Sequence, residues 1–207
     1  MIIMTVVVAI KDKTNNDIII GSDTMVTGGN LKYEMDEPKF FIVEIPHGTL
    51  PNSEKTKIIV GEAGRVSILE YIRRVFKPPV WNRKTQDFNT YMLDKFFPNF
   101  KDLLKKKSYV GKNEKDNGSI DIFSHLLIIH ENEFYTMWED LGFCRETGDF
   151  FAIGSGKQVA LGSLHSTKEF IYDNPKARVE KAILAAGELT TYVNTDIHIS
   201  SVNELIK

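Results

Sequence analysis

Three side chains, Thr5, Asp23 and Lys39, could together do chemistry. A hydroxyl is a weak nucleophile until a base relieves it of its proton. One solution makes a Ser, Thr or Cys the first residue of the chain, because its own α-amino group titrates near neutrality. The residue must then begin a buried strand, and a cation held by a carboxylate must lie beside it. Thr5 opens the β-branched run Thr5-Val-Val-Val-Ala-Ile10, Asp23 ends a second apolar run in Ile20-Gly-Ser-Asp23, and Lys39 follows in Glu37-Pro-Lys-Phe-Phe41. Taken singly, Thr5 is an ordinary strand former, Asp23 beside Gly21 fits a turn, and Lys39 after a proline fits an exposed strand end.

The elements that must position these residues are legible in outline. Val6–Ile10 and Ile18–Ile20, separated by a polar Asn-Asn loop, read as a hairpin, and their unbroken apolarity predicts burial on both faces. A second strand pair is expected at Lys39–Val43 and Lys57–Val60. Helical spacing follows over Val66–Phe76, stopped by Pro78-Pro79, and over about 86–106 with a break near Pro98. Residues 111–119 read as an exposed turn. Strands are expected at His125–Ile129, at Glu133–Trp138 after a tight Glu131-Asn132 turn, and at Phe150–Ile153. Helices are expected over Gly156–Tyr172 and Pro175–Val193, the latter with Asn174 as its N-cap, and Ile197–Val202 closes as a strand. Segregated runs of strands and helices indicate α+β layers in one domain spanning 1–207.

Bulk properties exclude several classes. The 207 residues are 42% hydrophobic and 26% charged, with a formal charge of −2, so neither disorder nor a nucleic-acid partner is indicated. Lys105-Lys106-Lys107 with Lys101 reads as a solvated helix end. Cys144, the single cysteine, permits no intrachain disulfide and reads as a buried or inert thiol. No apolar run is long enough to span a membrane, so a cytoplasmic protein is expected. Gly154-Ser-Gly-Lys157 lacks the spacing of a phosphate loop, and the five histidines lack metal spacing.

In order and spacing, Thr5, Asp23 and Lys39 resemble the catalytic Thr, Asp and Lys of proteasome β subunits and HslV-like peptidases, the N-terminal-nucleophile hydrolases. Three further segments share the likeness. Val60-Gly-Glu-Ala-Gly64 resembles the family's substrate-channel strand. Ala152-Ile-Gly-Ser-Gly156 is similar to the segment whose serine supports the active site. Lys181–Glu188 with Tyr192-Val-Asn194 resembles its last helix.

The likeness implies a four-layer αββα sandwich with two central antiparallel sheets. It implies a threonine peptidase in which the Thr5 hydroxyl attacks, the Thr5 amine is base, Lys39 stabilises charge and Asp23 positions Lys39. Ser155 is expected to support the site, although Gly-Ser-Gly also suits a helix N-cap. The N–H of Gly64 or Arg65 is the candidate oxyanion donor, because a glycine-rich edge admits a substrate strand closely. Gly61, Ala63 and Arg65 are the candidate substrate-binding residues, with Arg65 altering the pocket where HslV has a second glycine. No cofactor is expected beyond a monovalent cation on the backbone carbonyls of Gly187, Thr190 and Val193. The implied partners are further copies in a ring, an AAA+ unfoldase ATPase, and peptide or protein substrate.

Met1-Ile-Ile-Met4 precedes Thr5, so in that form Thr5 lacks its amine and the chain is expected to be blocked. Met4 is not the glycine at which many β-subunit propeptides are cut, whereas a start at Met4 would free Thr5 by ordinary methionine removal. A silent scaffold of the same fold and a stand-alone amidase are the competing readings.

Overall fold

A computed structural model describes residues 5–28, 31–107, 111–112, 120–169 and 174–207. The expected leader Met1–Met4, most of the expected turn (113–119) and the end of the expected Gly156–Tyr172 helix (170–173) lie outside the described residues.

The chain begins with the expected hairpin of β1 (Val6–Asp12) and β2 (Asp17–Asp23). Asp12 shapes its turn by accepting the N–H groups of Thr14 and Asn15 at 3.1 and 3.2 Å. A ribbon of β3 (Met25–Gly28) and β4 (Leu31–Glu34) follows, then β5 (Phe40–Pro46) and β6 (Lys55–Gly64). Helix α1 (Val66–Glu70) continues as a π turn (Tyr71–Val75); α2 (Phe88–Tyr91) passes through a second π turn (Met92–Phe96) into α3 (Phe97–Lys106). The short β7 (Gly111–Lys112) and β8 (Ile120–Asp121) pair with each other. Then come β9 (Ser124–His130), β10 (Glu133–Met137), β11 (Phe143–Glu146) and β12 (Phe150–Gly154). The chain ends with α4 (Lys157–Ser166), α5 (Pro175–Leu189), β13 (Ile197–Ser201) and α6 (Val202–Leu205).

Two antiparallel sheets, ordered β12-β1-β2-β13 and β11-β10-β9-β6-β5, are stacked between two helical layers. Alternation along β1 shows why. Val6, Val8 and Ile10 pack on Val179, Ala182 and Ile183 of α5, whereas Val7 and Ala9 face Ile59 and Leu127 of the other sheet. Every side chain of Val6–Ile10 is therefore buried, which is what an unbroken apolar run requires. Burial of each valine and of Ile10 contributes roughly 1.5–3 kcal/mol. The outer face of the second sheet, with Ile58, Val60 and Leu126, is covered by Ile72, Phe96 and Phe100. The architecture is the four-layer αββα sandwich.

Some expectations need correction. The irregularity expected at Pro98 falls one turn earlier, as the Met92–Phe96 π turn, and α3 accepts Pro98 in its first turn. A proline there has no N–H to leave unsatisfied, and the wider turn before it relieves its clash with the preceding carbonyl. Strand β11 and the β3–β4 ribbon carry no clear alternation and were not foreseen. Cys144 is exposed on β11, not buried, with its thiol against Thr136 Oγ1 at 3.2 Å. The closing strand ends at Ser201, whose hydroxyl accepts Glu204 N–H and starts α6 instead.

Candidate active site

Sheet register brings the candidate residues together. Val7 lies opposite Ser22 and Val6 opposite Gly154, so Thr5, one residue before β1, stands between Asp23 at the end of β2 and Ser155 after β12. Gly154 makes room for it. At φ 97° a Cβ there would fall 2.2 Å from Thr5 O, which only glycine avoids. Ser155 Oγ then accepts Thr5 N–H at 3.2 Å and donates to Thr5 O at 3.3 Å, fixing the backbone at Thr5.

Asp23 is fully buried and receives donors from every side. Its Oδ1 accepts Thr5 Oγ1 at 2.5 Å, Val6 N at 2.9 Å and Lys39 Nζ at 2.9 Å, while Oδ2 accepts Met25 N at 3.2 Å. The ammonium of Lys39 is satisfied with equal completeness. Its three protons have three acceptors: Thr5 Oγ1 in a short contact, Asp23 Oδ1, and Met25 O at 2.5 Å. Lys39 is 4% exposed, and burial pushes its ammonium below the usual lysine range, against the opposing pull of Asp23 and then Glu62. The turn and exposed-strand-end readings of Asp23 and Lys39 are excluded by this burial. The arrangement places a positive group and a hydrogen-bonded carboxylate on one hydroxyl.

Against solved structures, the chain superposes on a Thiobacillus denitrificans BPH in complex with epoxomicin with a TM-score of 0.69 at 16% identity, covering 96% of this chain and 98% of that one. A second Thiobacillus denitrificans BPH structure gives 0.65 at 17% identity, covering 96% and 97%. A eukaryotic HslV from Trypanosoma brucei gives 0.56 at 14% identity, covering 95% and 98%. The chain has the HslV-type fold. No family model matches it, and no curated protein matches it by sequence.

Within this HslV-type fold, the remaining candidates fall in varied places. Ala63 is wholly buried between the sheets, and a Cβ at Gly61 would meet Val7 Cγ1 at 2.8 Å. Both serve sheet packing rather than a substrate-facing wall. The Arg65 N–H donates to Ser124 Oγ at 3.1 Å, so it is not available as an oxyanion donor, and its guanidinium lies 4.3 Å over the Phe123 ring. Gly64, at the end of β6, remains the candidate donor; a Cβ there would clash with Ser124 and Phe123 O. Gly187, Thr190 and Val193 lie at and just beyond the C-terminal end of α5, where the chain folds back so tightly that a Cβ on Gly187 would sit 2.7 Å from Asn194 O. Asn194 has a definite structural part. It accepts Thr24 N–H at 3.1 Å and donates to Thr24 Oγ1 at 2.8 Å, tying down the residue after Asp23. Among the described residues, no group of three or more His, Cys, Asp and Glu side chains could hold a metal ion, and no helix is long and apolar enough to cross a membrane.

One residue of the site was missed. Glu62 is 3% exposed, its N–H donates to Lys39 O at 2.9 Å, and its Oε1 is buried without a partner. Ser124 donates to its carboxyl, yet burial outweighs this and pushes the group up to about 8, so the carboxyl is protonated at neutral pH. The available signal was a lone glutamate inside the apolar run Ile58–Ala63.

Proposed function

We propose that the chain is a threonine-type peptidase of the HslV kind, active once Thr5 is its first residue. The single observation that carries this reading is the Lys39 ammonium, anchored on Asp23 and Met25 O, donating to the Thr5 hydroxyl. Thr5 Oγ1 attacks the carbonyl carbon of a peptide bond, and its proton passes to the freed Thr5 amine. The same amine returns the proton to the leaving nitrogen as the C–N bond breaks. Water then hydrolyses the ester and restores the hydroxyl. Lys39 stabilises the charge that develops on Oγ1, Asp23 holds Lys39, Ser155 holds the Thr5 backbone, and Gly64 N–H is offered to the oxyanion.

The reading extends to a cytoplasmic homo-oligomeric ring that acts on unfolded protein or peptide with an AAA+ unfoldase. It requires no cofactor. A monovalent cation on the carbonyls of Gly187, Thr190 and Val193 suits the partial negative charge at a helix C-terminus, and would brace the turn that carries Asn194.

The test uses protein beginning at Thr5, the chain retaining Met1–Met4, and Thr5→Ala in the first form. Expected is hydrolysis of a fluorogenic peptide and retention of epoxomicin, the ligand of the Thiobacillus neighbour, by the first protein alone. An inert Thr5-initiated protein that also ignores epoxomicin would leave the silent-scaffold reading. Hydrolysis of small amides by a monomer would favour the amidase.

A further inference from the structure

We propose that Arg73 is a positioning residue that sets the reactivity of Lys39 by gripping the chain on both sides of it. This rests on the peptidase reading. The π turn (Tyr71–Val75) presents the Arg73 side chain, 11% exposed, to the segment that carries the lysine. One guanidinium arm, Nη2, donates to Pro38 O, and the other, Nη1, donates to Glu37 Oε2; both contacts are short. Nη1 also lies 3.4 Å from Glu70 Oε1, within its own helical stretch. The face of the group sits 5.0 Å from the centroid of Phe41.

A single side chain therefore touches residues 37, 38 and 41, the two before Lys39 and the second after it. Pro38 has no N–H, so its carbonyl is the one backbone hydrogen-bonding group that residue offers. A planar guanidinium can donate along its edges to a carbonyl and a carboxylate while laying its flat face on a ring, and an ammonium has no such face. On the other side, Lys39 N–H donates to Ser22 Oγ at 3.2 Å and Lys39 O accepts Glu62 N–H at 2.9 Å. Those bonds tie Lys39 to β2 and β6. The Arg73 grip supplies the third direction, from the helical layer.

Arg74 provides an internal control. It pairs with the same two carboxylates, Glu37 Oε2 at 2.8 Å and Glu70 Oε2 at 2.5 Å, and its side chain is 57% exposed. It differs in lying on no residue adjacent to Lys39. Charge and the pairing with Glu37 are common to both arginines, while contact with Pro38 O and the Phe41 ring belongs to Arg73.

The experiment compares Arg73→Met, Arg73→Lys and Arg74→Ala in protein beginning at Thr5. Methionine keeps an apolar stem over Phe41 and so guards against simple unfolding. Two readouts are taken: kcat and KM on a fluorogenic peptide, and the titration midpoint of Lys39 followed by NMR of 13C-labelled lysine. Arg73→Met is expected to lower kcat on the order of 10- to 100-fold with little change in KM, the size of a displaced catalytic group. The Lys39 midpoint should rise toward the ordinary lysine value as the ammonium gains water. Arg73→Lys should fall between, and Arg74→Ala should match the parent. An unmoved midpoint in Arg73→Met, or an equal effect of Arg74→Ala, overturns the positioning role. A parent without activity whose midpoint still rises in Arg73→Met supports the positioning and counts only against the peptidase reading.

Discussion

Asp23 and Glu62 are two buried carboxyls that flank one lysine, and they are held in opposite ways. Asp23 accepts from a hydroxyl, an ammonium and two backbone N–H groups. Glu62 has Ser124 on its carboxyl and nothing on Oε1. Equal burial thus has unequal consequences. The donor-rich carboxyl is one arm of an ion pair, whereas the donor-poor one keeps its proton up to about pH 8. Burial sets the cost of a charge, and the number of donors decides whether the charge is tolerated.

The largest effect should come from Asp23→Asn, which leaves Lys39 buried without its counter-charge. Loss of one member of a buried pair costs about 3–5 kcal/mol, measurable by urea unfolding. The kcat of protein beginning at Thr5 should fall on the order of 10⁴-fold, as when the orienting acid of a catalytic triad is lost. Unchanged stability in this variant would erase the contrast between the two carboxyls.

Glu62→Gln sharpens the same contrast through pH. The Glu62 carboxyl rises from the ordinary 4.5 to about 8 in the folded protein. Its contribution to stability is therefore complete below about 4.5 and is lost as pH climbs to about 8. Glutamine cannot ionise, so the variant should lack this decline. Relative to its value at pH 4, the variant should be favoured over the parent at pH 9 by on the order of 4 kcal/mol. Parallel stability curves for the two proteins would show that Glu62 is not held neutral.

Smaller effects should separate the site from its scaffold. Asn194→Ala removes both clasps on Thr24 and leaves that buried N–H with only Asp196 O, at 3.1 Å. It should cost about 1–2 kcal/mol and lower kcat through Asp23. Tyr91→Phe deletes only the Tyr91 hydroxyl bond to Pro79 O, 2.7 Å long and in the helical layer beyond the second sheet. It should cost about 1 kcal/mol in thermal or urea unfolding and leave kcat unchanged.

Much of the sandwich was legible along the chain. An unbroken apolar run at Val6–Ile10 can be stable only with both faces covered, and period and punctuation marked most strands and helices. The ladder explains why Thr5, Asp23 and Ser155 could be linked from afar, since each lies at the end of a readable strand. Lys39 was placed by the strand it precedes. The π turns were not legible, because one widened turn barely alters the helical periodicity; only the second, Met92–Phe96, lies beside a helical proline, Pro98. Strand β11 and the β3–β4 ribbon escaped because partly exposed pairs carry weak alternation.

By itself, then, the amino-acid order determined the runs of strand and helix and the order of hydroxyl, carboxylate and lysine, since strand period and turn residues act over a few positions. Tertiary structure alone decided that Gly61 and Ala63 serve packing, that Arg65 N–H is consumed by Ser124, that Glu62 stays neutral and that Arg73 holds the Lys39 segment. These outcomes depend on which donors and acceptors remain after water is removed. That balance is struck between residues tens of positions apart.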